Sequence, residues 1–216
     1  EVEQGAKVDF CVPTGNFGDV LAGYYAYRMG LPVRHFIVAS NANNVLTDFL
    51  TTGVYDRNRP FVKTITPSMD ILISSNLERL LYTVAGAEKT AAYMRALGTD
   101  GKYTVDADVK AKIDESFLGY FCDEELTKKT IRDTFDTDHY LCDTHTAVAW
   151  NVAQQYKAAN PGHAPVVVLS TASPYKFPAA VLGGLGEKAE GDEFAVMEQL
   201  ERLTRIPAPK NLRGLR

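Results

Sequence analysis

The 216-residue sequence lacks any apolar run near the roughly 20 residues that a membrane-spanning helix needs, so no membrane partner is expected. It has no opening that resembles a secretory signal. It has no excess of basic residues: 23 Lys and Arg stand against 27 Asp and Glu, for a net charge of −4. Nucleic-acid-binding surfaces carry the opposite balance, so no nucleic-acid partner is expected either. Cysteine is scarce and odd in number, at Cys11, Cys122 and Cys142, far apart in the chain. That argues against a disulfide framework and predicts buried free thiols in a reducing, cytoplasmic compartment. The four histidines are scattered. They make no metal-ligand spacing, so no metal site is expected. An initiator methionine is also missing. The chain opens at Glu1 and almost at once enters a buried-looking strand, so the expectation is a piece of a longer protein.

What is present centres on Val8 to Val20. Val8–Val12 is a short, mostly apolar run stopped by Pro13 and reads as a buried strand. A Gly15-x-x-Gly18 turn follows. Helical spacing then runs from Asp19 to Met29, with Gly30 and Pro32 beyond it. His35–Ser40 reads as a second strand. Strand, helix, strand with short connections is a βαβ unit, which implies parallel pairing and a right-handed crossover. A helix N-terminus offers unpaired N–H donors and a partial positive charge. Gly15 and Gly18 let the backbone come close or take positive φ. This turn is expected to cradle a phosphate group. It is neither a Walker loop, since no Gly-Lys-Ser/Thr follows, nor the dinucleotide fingerprint.

Further along, Asn41–Asn44 is a polar turn and Val45 to Gly53 a short helix ended by Gly53. Leu77–Ala85 is a helix capped by Asn76 or a nearby serine. Residues 87–140 read mainly as helices, Ala87–Leu97, Ala107–Phe117 and Asp123–Phe135, with Phe117, Tyr120 and Phe121 as the aromatic anchor of this helical insertion. Asp143 or Thr144 caps a helix over Ala147–Ala158. His145 there reads as a structural hydrogen-bonder rather than a catalytic base. Val166–Ser170, β-branched and apolar on both faces, predicts a central parallel strand, with Thr171–Lys176 as its exit loop. Residues 193–203 form a last amphipathic helix. The fold class is α/β: a three-layer, open parallel sheet with helices on both faces. In such sheets ligands bind outside the carboxyl ends of the strands. The loops at Thr14–Asp19, Asn41–Asn44 and Thr171–Lys176 should therefore share one crevice.

Taken together, several blocks carry a resemblance. Pro13-Thr14-Gly15-Asn16-Phe17-Gly18-Asp19 resembles the cofactor phosphate loop of threonine synthases, pyridoxal-phosphate enzymes of the tryptophan-synthase-β type (fold-type II). Pro67-Ser68-Met69-Asp70-Ile71 and Ser74-Ser75-Asn76-Leu77-Glu78-Arg79 look like that family's central block. Asp143-Thr144-His145-Thr146-Ala147 and Thr171-Ala172-Ser173-Pro174-Tyr175-Lys176-Phe177 look like its later ones. The resemblance implies that the chain is the C-terminal part of the large domain that binds pyridoxal 5′-phosphate. Gly15, Asn16, Phe17, Gly18 and Asp19 would hold the cofactor phosphate, and the hydroxyl of Thr171 would face the pyridine nitrogen. Lys176 would either attract the substrate phosphate or stabilise its loop. The implied reaction converts O-phospho-L-homoserine and water into L-threonine and phosphate.

The family's Schiff-base lysine lies in a block before the glycine loop. None of the twelve lysines here stands in a matching context. No catalytic residue is therefore expected in this chain, and the piece alone should be inactive and prone to self-association. Two other readings remain: a non-catalytic phosphate-binding or interaction module of the same fold, and another pyridoxal-phosphate lyase or dehydratase.

Overall fold

A computed structural model describes residues 2–215. The elements in chain order are β1 (Val8–Pro13), α1 (Gly18–Arg28), β2 (Val33–Ser40), α2 (Val45–Thr52), β3 (Val54–Asp56), α3 (Leu77–Ala85), α4 (Ala87–Thr99), β4 (Lys102–Thr104), α5 (Ala107–Asp114), β5 (Phe117–Phe121), α6 (Glu124–Asp138), α7 (Thr144–Ala159), β6 (Val166–Val168), α8 (Pro178–Leu185), α9 (Glu193–Thr204) and α10 (Lys210–Arg213). The main sheet has the order β5-β2-β1-β6. Every pairing in it is parallel, with Cys11 opposite Ile37 on one side and Val168 on the other. The βαβ unit is therefore formed as its punctuation predicts: Pro13 ends β1, and Gly30, at φ 110°, follows the end of α1. Gly53, at φ 77°, closes α2 in the left-handed conformation that only glycine adopts without cost.

Strand alternation sends β2 side chains to two faces. Phe36 and Val38 join Val20, Leu21, Phe49 and Leu80 in one core. Ile37 and Ala39 join Val148, Ala149 and Val152 of α7 in another. Helices thus cover both faces, and each buried Leu, Ile, Val or Phe contributes roughly 1.5–3 kcal/mol. A third cluster, with Ile131, Val181, Leu182 and Leu200, holds α6, α8 and α9 together. All three cysteines are buried and free. Burial pushes the Cys122 and Cys142 thiols up to about 11 and raises Cys11 as well, so none presents a thiolate near neutral pH.

Three expectations need correction. Residues 87–140 do carry three helices, but not a purely helical insertion. Phe117–Phe121 is β5, a strand of the main sheet, and Lys102–Thr104 pairs antiparallel with β3 in a small second sheet. Phe117 still acts as an anchor, stacked on Phe36 at 5.5 Å and packed on Phe17 at 5.6 Å. Next, β6 is parallel but not central. Among the described residues it lies at the edge of the sheet and is three residues long, with Val167 36% exposed. Finally, Asn76 occupies the cap position of α3 without making a side-chain cap bond.

At the opposite end of the strands from the glycine turn, Asp9 is fully buried. Its carboxylate accepts from the Tyr156 hydroxyl at 2.8 Å and from the backbone N–H of His35 at 3.0 Å and of Ala164 at 3.1 Å. This ties β1 to β2, α7 and the turn before β6. Replacing Asp9 with Ala would strand one buried donor, on Tyr156, and two part-buried ones. We expect a loss of about 3 kcal/mol of stability, read as a lower denaturant midpoint with an unchanged slope.

Candidate functional site

Three loops leave the carboxyl ends of adjacent strands. Thr14 N–H donates to the Ala39 carbonyl at 2.9 Å, and Leu169 N–H donates to the Cys11 carbonyl at 3.0 Å. The glycine turn after β1, the Asn41–Asn44 turn after β2 and the Thr171–Lys176 loop after β6 therefore stand at one edge, as expected of the sheet.

The glycine turn enters α1 directly. Phe17 takes the N-cap position in a left-handed conformation, φ 65° and ψ 5°, with no side-chain cap bond. This is an uncommon conformation for a bulky residue and costs about 1–2 kcal/mol. It is held by burial of the ring, which is 1% exposed. The positive φ thus falls on Phe17 and not on either glycine. Gly15 is required for another reason: a Cβ there would sit 2.5 Å from the Ser68 carbonyl oxygen. Gly18 is less constrained, since a Cβ would meet only Asn76 Nδ2, at 3.4 Å.

The backbone N–H groups of Gly15, Asn16, Phe17, Gly18, Asp19 and Val20 have no acceptor among the described residues. The first intrahelical bond is Leu21 N–H to the Phe17 carbonyl, at 3.0 Å. Asn16, Gly18 and Asp19 are exposed, whereas Phe17 and Val20 are buried. A row of free N–H groups at the positive end of an 11-residue helix is the donor chemistry that a phosphate group requires. The Asp19 carboxylate lies in the first turn, where it suits the helix dipole, so its contribution toward an anion is its N–H alone. At the end of β2, the buried Ser40 hydroxyl also has no hydrogen-bond partner among the described residues.

The turn is backed by residues that the sequence reading did not assign to it. Ser74 Oγ donates to the Gly15 carbonyl at 3.0 Å, and Asn76 Nδ2 donates to the Asn16 carbonyl at 2.9 Å. Asp70 holds the neighbouring turn, accepting from Asn41 Nδ2 at 2.8 Å, Asn43 Nδ2 at 3.0 Å and Thr64 Oγ1 at 2.7 Å. The sequence signal available was the clustering of amide and hydroxyl side chains in two separated blocks. Nothing in the sequence showed that the blocks touch.

Asp143 caps α7 as expected, accepting from His145 N–H at 2.8 Å and from Thr146 N–H at 3.2 Å, and Thr146 Oγ1 donates to it as well. Burial alone would raise its carboxyl, but these bonds, with the His145 ring, outweigh that and hold it below the usual carboxylate range. His145 is buried. Its Nε2 accepts from Ser68 N–H at 3.3 Å, which leaves the proton on Nδ1, 3.3 Å from Asp143 Oδ1. The histidine therefore ties the start of α7 to the turn at Ser68 behind Gly15. Its ring lies 4.8 Å from that of Phe177.

Thr171 is exposed, one residue beyond Ser170, whose hydroxyl lies 3.3 Å from Thr146 Oγ1. Lys176 is exposed, with its ammonium 5.6 Å from the centre of the Phe177 ring. Lys176 lines a cleft of about 510 Å³ with Thr64, Pro67, Phe177 and Met197. No residue of the glycine turn lines this cleft. No cluster of His, Cys, Asp and Glu able to hold a metal occurs among the described residues.

Known proteins are similar to this chain in sequence and fold. The family model described as threonine synthase, C-terminal, matches residues 146–213. Human threonine synthase-like 1 is 42% identical over 185 residues, covering 84% of this chain and 24% of that protein. Threonine synthase of Saccharomyces cerevisiae is 35% identical over 218 residues, covering 93% of this chain and 42% of that protein. Among solved structures, pyridoxal-phosphate-bound threonine synthase from Brucella melitensis superposes with a TM-score of 0.81 at 35% identity, over 94% of this chain and 48% of that one. The yeast enzyme gives 0.82 at 33% identity, over 97% and 42%. The chain spans less than half the length of each of these relatives. Sequence and fold agree that the chain is similar over most of its length to part of the threonine synthases.

Proposed function

We propose that the protein to which this chain belongs is a cytoplasmic threonine synthase that binds pyridoxal 5′-phosphate and converts O-phospho-L-homoserine and water into L-threonine and phosphate. The observation that carries the proposal is the row of unpaired N–H donors from Gly15 to Val20 at the start of α1. It fits a phosphate monoester in donor type, number and electrostatic sign. When bound, the cofactor supplies an electron sink for carbanions formed beside the substrate amino group.

This chain's residues supply binding and orientation. Gly15, Asn16, Phe17 and Gly18, with the Asp19 N–H, hold the phosphate. The neutral Thr171 hydroxyl would serve the ring nitrogen as a hydrogen-bonding partner that does not stabilise a proton there. Lys176 stands at the cleft as the cation for the substrate's phosphate. The lysine that moves protons between carbon atoms is expected outside residues 1–216, so the chain by itself is expected to be inactive.

In the full-length protein, inorganic phosphate should be released from O-phospho-L-homoserine only when pyridoxal phosphate is supplied, with threonine formed in equal amount. Cofactor binding without phosphate release would favour the non-catalytic module instead. Ammonia release from serine or threonine would favour a lyase of the same fold. The glycines make a separate prediction. Gly15→Ala places a methyl group against the Ser68 carbonyl, so the turn must shift and cofactor affinity should fall by at least about tenfold. Gly18→Ala, whose Cβ would meet only Asn76 Nδ2 at 3.4 Å, should lower affinity far less. Equal effects in an equilibrium titration would contradict the geometry.

A further inference from the structure

We propose that Ser74 and Asn76 are positioning residues that decide which way the peptide groups of the glycine turn face, and thereby make it an anion cradle. The inference rests on reading that turn as the phosphate site. A Gly-x-x-Gly segment has no intrinsic preference for presenting N–H groups rather than carbonyls, because glycine adopts many backbone conformations at similar energy. Something outside the turn must choose.

The choice is visible in the carbonyls. Ser74 Oγ donates to the Gly15 oxygen at 3.0 Å. Asn76 donates twice to the Asn16 oxygen, through Nδ2 at 2.9 Å and through its backbone N–H at 3.1 Å. No peptide bond among the described residues is cis. In a trans peptide, the carbonyl of one residue and the N–H of the next point in opposite directions within one plane. Holding the Gly15 carbonyl on Ser74 therefore turns the Asn16 N–H away from Ser74. Holding the Asn16 carbonyl on Asn76 turns the Phe17 N–H away from Asn76. The Phe17 carbonyl is taken by Leu21, which directs the Gly18 N–H out of the start of α1. Three consecutive donors are thus aimed by their partner carbonyls, none of which faces the anion.

The clamp is itself anchored. Ser74 N–H donates to the Tyr55 hydroxyl at 2.8 Å, and that hydroxyl donates to the Leu72 carbonyl at 3.1 Å. Tyr55 is 1% exposed and stacks on Tyr103 at 5.3 Å. Asn76 stands at the cap position of α3 yet makes no cap bond, so its amide is committed to the glycine turn. Ser74 Oγ likewise has no other acceptor among the described residues.

The test uses the full-length protein and compares pyridoxal phosphate with pyridoxal, which lacks the phosphate. Dissociation constants are taken from absorbance or fluorescence titration, with apoprotein melting as the check on folding. Ser74→Ala should weaken pyridoxal phosphate about tenfold and leave pyridoxal unchanged. Ser74→Thr, which keeps a hydroxyl, should restore most of the loss. Asn76→Ala should weaken pyridoxal phosphate by a smaller factor, about threefold, because the backbone N–H still holds the Asn16 carbonyl. The Asn76→Ala arm stands by itself if Ser74→Ala does not fold. Wild-type affinity for pyridoxal phosphate in folded Ser74→Ala or Asn76→Ala, or equal losses for both ligands, would overturn the inference while leaving the phosphate site intact. A wild-type protein that binds the two ligands equally would overturn the phosphate site and this inference with it.

Discussion

The rest of the site depends on how backbone N–H groups at the start of α1 are left unpaired. A polypeptide pairs nearly all of its main-chain donors, and a helix must leave its first turn unsatisfied unless a side chain caps it. Here the cap position is held by Phe17, which has no acceptor to offer, so the donors from Gly15 to Val20 stay open. That arrangement is costly in two ways. Phe17 adopts a positive φ, and the exposed turn must be kept from collapsing onto its own carbonyls. Burial of the Phe17 ring against Phe117 offsets the first cost, and the bonds from Ser74 and Asn76 prevent the second.

The sheet explains why the loops meet. Parallel strands put all their carboxyl ends on one edge, and the two cores on either face of β2 fix that sheet rigidly beneath the turns. Asp9, at the other end of β1, locks the register from below. Asp143 and His145 brace the site from α7 through Ser68, the same residue whose carbonyl requires glycine at position 15. Rigid elements thus carry a loop with two side-chain requirements, that Gly15 have none and that the Phe17 ring be buried.

Much of this was legible in the residues. The βαβ unit, α2 with its terminal Gly53, α3 and the Asp143 cap are each bounded by local punctuation, and local punctuation reads directly. Phe117–Phe121 was misread because it follows an amphipathic helix and does not alternate. Its Gly119 was the missed clue: a Cβ there would lie 2.9 Å from Thr47 Cα, the close approach that a glycine inside a strand often marks. The β-branched run of β6 suggested a central strand. Its pairing partner on one side is β1, and its other edge is open among the described residues, in a chain that spans less than half of each relative compared above. The roles of Ser74 and Asn76 were hidden for a different reason. An asparagine before an amphipathic run is the ordinary cap signal, and only the folded chain brings it to a turn 60 residues earlier.

The most direct test is a crystal structure of the full-length protein with pyridoxal phosphate bound. The account predicts phosphate oxygens within about 3 Å of the N–H groups of Gly15, Asn16, Phe17 and Gly18, with the Gly15 and Asn16 carbonyls still on Ser74 and Asn76. A phosphate held elsewhere, or a turn that presents its carbonyls to the ligand, would contradict it.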